Sequence, residues 1–173
     1  MTSLTSGGRT SAIASDVRLA WFWLLIRLYL AYEWFEAGWH KVTDPTWVGS
    51  DAGTSLTGFL NGALAKTGGD HPAVQGWYAW FIEHVALPHA TVFSYLVAFG
   101  ETFVAIGLLL GAFTGIAAFF GATMNFNFLF AGTTSINPQL LLFEIFIVFA
   151  WRTAGWWGLD RYILPRLLKT KRS

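Results

Sequence analysis

Residues 97–111 read VAFGETFVAIGLLLG, an apolar run with one carboxylate, Glu101, near its middle. The run belongs to a longer apolar segment, 89–111, that can cross a bilayer as a helix, since roughly 20 residues at 1.5 Å rise each cover about 30 Å of hydrocarbon. A charged side chain in the middle of such a helix costs roughly 2.5 to 3.5 kcal/mol on insertion scales. Glu101 is therefore expected to face the interior of the protein and to have a partner there.

The whole chain has the composition of a membrane protein. Of its 173 residues, 54% are hydrophobic and only 12% are charged, and the mean hydropathy is +0.48. A net charge of +1 provides no basic surface for a nucleic acid. Because the chain has no cysteine, disulfides, cysteine-ligated iron–sulfur clusters and dithiol chemistry are excluded within it. Any redox role would need an electron carrier from elsewhere.

The hydropathy pattern predicts an all-α integral membrane four-helix bundle. Its four helices should cover about 19–41, 89–111, 115–132 and 139–157. The short connections AFTG and GTTSINP predict antiparallel hairpins. We expect the bundle to occupy residues 18–162, between a disordered N-terminal tail, 1–17, and a basic C-terminal tail, 163–173.

The long connection, 42–88, should contain short amphipathic helices. One stripe of apolar residues at helical spacing stops at Thr67-Gly68-Gly69, and a second helix should start at Asp70-His71-Pro72. The stripes consist of Leu56, Phe59, Leu60, Ala63 and Leu64, and of Val74, Trp77, Tyr78, Phe81, Ile82 and Val85. Such helices would lie on one face of the bundle and could cap a cavity.

The distribution of lysine and arginine predicts the orientation in the plasma membrane. Basic residues gather near both chain termini, whereas the connection 42–88 carries only Lys66 beyond the border residue Lys41. The positive-inside rule then places both termini in the cytoplasm and 42–88 outside, in a multi-pass protein.

Polar side chains form a layer inside the predicted membrane region. Arg27 is the obvious partner for Glu101, as a structural ion pair or as part of a site. The remaining carboxylates at membrane depth, Glu33, Glu36 and Glu144, outnumber the deep cations, so at least one carboxyl group should be protonated near neutral pH. The helix faces allow a central cavity lined by Arg27, Trp34, Glu101, Asn125 and Glu144.

The histidines do not predict a haem or a metal site. His40, His71, His84 and His89 all fall near one end of the predicted helices, which leaves no pair at mid-membrane depth for haem ligation. A metal site from His40, His84 and His89 with Glu83 is an alternative, but Pro88 separates the last two histidines. Interfacial histidines are the favoured interpretation.

Four motifs together resemble the DoxX/DoxD family of small four-helix membrane proteins. They are RLYLAYEWFEAGWHKV, GETFVAIGLLLG, MNFNFLFAGTTSINP and AWRTAGWWGLDRYILP, in this order and spacing. The best-known member of the family is a subunit of a thiosulfate:quinone oxidoreductase. The resemblance implies a membrane oxidoreductase component that meets the quinone pool, oxidises thiosulfate or a related small sulfur compound, and works alone, as a homo-oligomer or with a second redox subunit.

For quinone chemistry the polar layer offers suitable groups. Glu101 could exchange protons and Arg27 could donate hydrogen bonds, which makes these two the candidate catalytic residues. The candidate residues for binding quinone or substrate are Trp34, Lys41, Asn125, Asn127 and Glu144. A non-catalytic membrane scaffold for soluble redox partners, or a small proton or ion carrier, would also suit the composition.

Overall fold

The computed structural model describes residues 16–169, and the described residues contain eight α-helices and no strand. The predicted all-α fold is confirmed. In chain order the helices are α1 (Ala20–Val42), α2 (Thr54–Leu64), α3 (Gly76–Phe81), α4 (Ala90–Leu110), α5 (Thr114–Phe130), α6 (Asn137–Phe149), α7 (Trp151–Ala154) and α8 (Asp160–Lys169). A 3₁₀ turn, Val17–Leu19, precedes α1. The predicted disordered tail falls almost entirely outside the described residues.

The first three predicted long helices are confirmed, while the fourth differs. A helix continuous over 139–157 was expected, but α6 ends at Phe149 and the chain turns at Ala150 before the short α7. α5 and the start of α7 pack closely just after the break, since a Cβ on Gly115 of α5 would lie 2.6 Å from the Cβ of Trp151.

The basic C-terminal tail, 163–173, stays a prediction, and its first residues are helical because residues 160–169 form α8. Its start is tied to the neighbouring helices by two backbone hydrogen bonds, from Leu159 to the carbonyl of Leu110 at 3.1 Å and from Asp160 to that of Gly111 at 2.8 Å. Both carboxylate oxygens of Asp160 accept hydrogen bonds from the first amides of α5, at Phe113 and Thr114. A carboxylate at this position satisfies free N–H groups and complements the helix dipole.

The connection between α1 and α4 contains the predicted short helices, with a later start for the second. The segment after Asp70 is irregular, and α3 begins only at Gly76. A π-helical turn, Ile82–Ala86, follows α3, with the amide of Leu87 bonded to the carbonyl of Ile82 at 2.9 Å. Because a π turn contains one extra residue, Ala86 and not the predicted Val85 follows Ile82 on the buried side. We call α2, α3 and this turn the cap.

The four longest helices pack against one another to different extents. Contacts are most extensive between α1 and α4 and between α5 and α6, and are fewer between α4 and α5. The cap covers the end at which α1 ends and α4 begins, which we call the cap end. The opposite end, which carries α7 and α8, is the terminal end. Contacts across the α4–α5 interface are few because a cavity lies there.

Apolar side chains also cover much of the outer surface of these helices. Phe103 of α4 is 68% exposed and Phe149 of α6 is 74% exposed. By length and composition, α4 is the one helix among residues 16–169 that could cross a membrane, with a mean hydropathy of 1.9, while α5 and α6 are shorter apolar helices. The first helix carries Arg27, Glu33, Glu36 and Lys41 among its 23 residues. Four membrane spans therefore stay a prediction.

Candidate functional site

Glu101 forms an ion pair with Lys41 of α1. The carboxylate oxygen Oε2 lies 2.7 Å from the lysine Nζ, and the side chain of Glu101 is 1% exposed against 19% for that of Lys41. The ammonium group also lies 5.1 Å from the ring centre of Trp47, which covers it from the cap end. One turn before Lys41, Gly38 lets α1 and α4 approach, since a Cβ there would lie 2.9 Å from the backbone nitrogen of Thr102. This charge pair is closed off by close helix packing.

Arg27 lies elsewhere, so the predicted contact between Arg27 and Glu101 is wrong. Fourteen residues separate Arg27 from Lys41 on α1, which is about 21 Å along a helix. The Arg27 guanidinium lies at the terminal end, where Nη2 donates to the carbonyl of Trp157 at 3.1 Å. Its Nη1 packs so closely against Gly111 and Gly158 that neither position has room for a Cβ. Arg27 thus fastens the chain after α7 to the end of α4.

Glu144 of α6 is at the centre of a second buried polar group. Its carboxylate accepts one hydrogen bond from the indole of Trp34 at 2.7 Å and another from the amide of Asn125 at 2.8 Å. All three side chains are buried. Gly121 provides the space, because a Cβ there would lie 2.5 Å from Oε1 of Glu144. The group links α1, α5 and α6 through hydrogen bonds, without a cation among these contacts.

The large cavity lies between α4 and α5, with the cap above it. Its volume is about 820 Å³, within the range of small-molecule sites. It runs from Leu56 and Phe59 of α2, past Val97 and Gly100, to Ala112 and Phe113 at the terminal end. Neither of the two buried polar groups lines it. The structure therefore does not form the predicted central cavity around Arg27, Trp34, Glu101, Asn125 and Glu144.

The polar side chains that line the cavity are at its cap end. They are Thr123 and Asn127 of α5 and Tyr78 of α3. The Tyr78 hydroxyl donates towards Asn127, with the backbone oxygen at 3.0 Å and Oδ1 at 3.2 Å. Burial raises the pKa of Tyr78 to about 12, so the phenol stays a hydrogen-bond donor at neutral pH. The cavity is thus amphipathic, with hydrogen-bonding groups near the cap and only apolar walls towards the terminal end.

The histidines of the alternative metal site, His40, His84 and His89, are not arranged to bind a metal ion. Among residues 16–169, no group of three or more histidine, aspartate or glutamate side chains is arranged to hold a metal ion. Nδ1 of His84 lies 2.9 Å from the carbonyl of Trp80, and Nδ1 of His89 lies 3.0 Å from that of Val85. These ring nitrogens therefore interact with the backbone of the cap.

Comparison with known protein families identifies the chain. The DoxX family model matches residues 22–134, about two thirds of the chain, from the start of α1 to just beyond α5. The chain belongs to the DoxX family. No curated protein and no solved structure matches it significantly. Members of the DoxX family are membrane proteins, so association of this DoxX protein with lipid is expected. The last helices, α6 to α8, lie beyond the matched region.

Of the predicted binding residues in this DoxX protein, only Asn127 lines the cavity. Lys41 pairs with Glu101, while Trp34, Asn125 and Glu144 bond to one another. The catalytic roles of Arg27 and Glu101 stay predictions. Tyr78, Phe59 and Val97 were not among the predicted site residues, although the apolar stripes of the cap already contained the first two.

Proposed function

We propose that this DoxX protein is a multi-pass component of the plasma membrane that binds a quinone between α4 and α5 and takes part in oxidation of thiosulfate or a related small sulfur compound. The observation that carries the proposal is the amphipathic cavity of about 820 Å³. A prenylated quinone has a flat polar head and a long apolar tail, and the cavity has polar groups at one end only. Family membership supports the oxidoreductase role.

The cap end of the cavity suits the quinone head. The hydrogen-bonding groups there are the phenol of Tyr78 and the side chains of Asn127 and Thr123, and aromatic rings form flat walls beside them. The Thr123 hydroxyl donates to the carbonyl of Phe119, whereas the Asn127 amide donates one hydrogen to the carbonyl of Thr123 and has a second one for a ligand. Phe59 and Phe128 meet edge to face there, with ring centres 6.2 Å apart. A bound quinone would supply a two-electron, two-proton acceptor. In this assignment the Tyr78 hydroxyl turns from Asn127 so that its one proton is donated to a carbonyl oxygen of the head, and the side chain of Asn127 lies beside the head.

The terminal half of the cavity suits the tail. Gly107 and Ala117 line this half where α4 and α5 come into contact, since a Cβ on Gly107 would lie 2.9 Å from that of Ala117. Beyond them, Ala112, Phe113 and Ile116 provide apolar walls only. Burial of an isoprenoid tail against these walls favours binding by roughly 25 cal/mol for each Å² of apolar surface removed from water.

The topology belongs to the same proposal. The exposed apolar side chains on α1, α4, α5 and α6 would contact lipid, and these four helices would cross the bilayer as a bundle. Both termini would lie in the cytoplasm and the cap outside, in keeping with the lysine and arginine distribution. The sulfur compound would then approach from the cap side. Electron transfer to the quinone would use a second redox subunit or a direct two-electron step from the substrate.

A non-catalytic scaffold for soluble redox partners is the second candidate. The observation that favours it is the closure of both buried polar groups, since Glu101 and Glu144 have all their contacts inside the protein. In that case these residues would fix helix packing, and the cavity would hold a structural lipid.

The experiment that separates the two candidates is purification from native membranes in a mild detergent, followed by extraction and identification of bound quinone. A quinone-linked protein should retain quinone in near-stoichiometric amount, and its membranes should reduce a soluble quinone analogue when thiosulfate is added. Bound phospholipid without quinone, together with no thiosulfate-dependent reduction, would contradict the proposal and favour the scaffold.

A further inference from the structure

Helix α8, which lies beyond the residues matched by the family, is strongly basic. Its sequence, DRYILPRLLK, contains three basic residues, Arg161, Arg166 and Lys169, and one acidic residue, Asp160. Asp160 is 2% exposed and is bonded to the start of α5. The carboxylate is therefore engaged with α5, and three basic residues against one acidic residue leave the sequence of α8 with a net positive charge.

The contacts of Leu159 and Asp160 fix where α8 begins. Their backbone amides bond to the carbonyls of Leu110 and Gly111 at the end of α4, and the Asp160 side chain accepts hydrogen bonds from the amides of Phe113 and Thr114 at the start of α5. The helix therefore starts at a set place at the terminal end of the two helices that enclose the cavity.

One side of α8 is apolar and incompletely covered by the described part of the protein. At 100° per residue, Ile163, Leu164 and Leu167 lie on one side of the helix, opposite Arg161 and Arg166. Ile163 and Leu164 are half-buried, and Leu167 is 57% exposed. A partner that covers this side must accept an apolar face beside cationic groups.

The residues before α8 extend the same kind of surface. Trp157 is 64% exposed. The guanidinium group of Arg161 lies 5.2 Å from the ring centre of Trp156, and that of Arg152 lies 5.0 Å from Trp151. Tryptophan side by side with arginine is typical of the layer between lipid headgroups and hydrocarbon.

We propose that α8 docks on the bilayer surface at the terminal end and binds anionic lipid headgroups through Arg161, Arg166 and Lys169. The apolar side would enter the boundary between headgroups and acyl chains, and the basic residues would remain among the phosphates. Charge complementarity selects an anionic surface over a neutral one. This proposal is independent of the ligand of the cavity, because it rests on residues that do not line it.

The chain has no cysteine, so Leu167→Cys gives a single site for an environment-sensitive fluorophore on the docking side. The labelled full-length protein is reconstituted in vesicles of phosphatidylcholine, with or without phosphatidylglycerol. The emission should shift to shorter wavelength only with phosphatidylglycerol. The docked-to-undocked ratio should rise by about fivefold for each basic residue, or about 10²-fold for all three. Salt at 1 M, where the Debye length is about 3 Å, should reverse the shift.

Charge variants identify the residues involved. The triple variant Arg161→Gln, Arg166→Gln and Lys169→Gln should respond equally to both lipids, and Arg161→Gln alone should lower the response to phosphatidylglycerol about fivefold. Lys66→Gln, which removes one positive charge at the cap end, is the matched control and should leave the response to phosphatidylglycerol unchanged. If the triple variant does not fold, the comparison of Arg161→Gln with Lys66→Gln still tests whether the response to phosphatidylglycerol depends on charge in α8.

Two results would overturn the proposal. Equal emission in both vesicle types would show that the docking has no preference for anionic lipid. A shift that follows the ratio of protein to lipid, and not the lipid charge, would assign the exposed side to a second copy of the chain.

Discussion

Helix α4 has two interfaces of opposite character. Towards α1 it presents Glu101, whose carboxylate is enclosed by close helix packing and paired with Lys41. Towards α5 it presents Val97, Gly100 and Gly107, which line a large apolar cavity. Adjacent positions on one helix, Gly100 and Glu101, thus belong to different environments.

The comparison shows that a deeply buried ionisable residue need not mark a ligand site. Leaving a charge unpaired away from water is costly, so an interface that contains Glu101 has to be tightly packed and fully paired. A ligand needs the opposite, which is space with few and well-placed polar groups. The α4–α5 interface meets this condition, since Tyr78, Thr123 and Asn127 are grouped at one end of its cavity.

The largest expected effect is on the tight interface. Lys41→Leu leaves the Glu101 carboxylate buried without its partner, which should lower the free energy of unfolding by about 3 to 5 kcal/mol. The double variant Lys41→Leu and Glu101→Leu should recover much of this loss. Thermal unfolding in detergent compares the wild type, the two single variants and the double variant in a double-mutant cycle. Glu36→Leu is the control because Glu36 is exposed on the same helix. Strictly additive losses would show that Lys41 and Glu101 are not coupled.

The second prediction concerns the loose interface. Val97→Trp places an indole in the cavity and should weaken binding of a quinone analogue by about 10- to 100-fold, the equivalent of roughly 1 to 3 kcal/mol of overpacking. Val92→Trp adds the same ring to α4 at a position that is 58% exposed and does not line the cavity. Titration with the quinone analogue, followed by quenching of tryptophan fluorescence, measures the affinity of both variants. Equal affinity in both variants would place the ligand elsewhere.

Two glycines test the difference in packing directly. Gly38→Ala, in the interface between α1 and α4, brings a Cβ to 2.9 Å from the backbone nitrogen of Thr102 and should cost about 1 to 3 kcal/mol in stability. Gly100→Ala meets only the flexible side chain of Met124, with the sulfur at 3.3 Å, and should change the stability by less than about 1 kcal/mol. Thermal melting of both proteins checks the order, and a reversed order would refute the distinction between the two interfaces.

The smallest expected effect is that of Tyr78→Phe. Loss of one hydrogen bond should lower the affinity for a quinone analogue by about five- to tenfold, or roughly 1 kcal/mol. Burial raises the pKa of Tyr78 to about 12 from 10. The stabilising contribution of the neutral phenol is therefore complete below pH 10 and is lost as the pH rises from 10 towards 12. The ratio of wild-type to variant affinity should stay constant between pH 7 and 9. Tyr95→Phe, remote from the cavity, is the control, and an equal loss in both variants would exclude a contact with the head.

Hydropathy and periodicity predicted α1, α2, α4 and α5 within a few residues, because each has a regular apolar side. The burial of Arg27, Glu101, Asn125 and Glu144 was also predictable, since a charge or an amide inside an apolar helix has to face protein. The partner of Glu101 could not be predicted from the sequence. Lys41 shares a helix side with Arg27, and only the three-dimensional register of α1 against α4 decides which of them meets Glu101.

Other features depend on distant contacts and leave no local pattern. The partner of Arg27 is a backbone carbonyl 130 residues away in sequence. α6 ends at Phe149, two residues before Trp151 packs closely against Gly115 of α5. The cavity arises from incomplete contact between α4 and α5 beneath the cap, and its walls come from side chains that periodicity assigns to ordinary packing.

The most direct measurement of the central claim is photolabelling of the purified full-length protein with an azido-substituted quinone, followed by mass spectrometry of its peptides. The proposed site predicts labelled residues on α4 between Phe93 and Gly107, on α5 between Phe113 and Phe128, and at Tyr78, with competition by unmodified quinone. Labelling concentrated on Trp34 of α1 or around Glu144 of α6 would place the ligand in the polar interior and contradict the account.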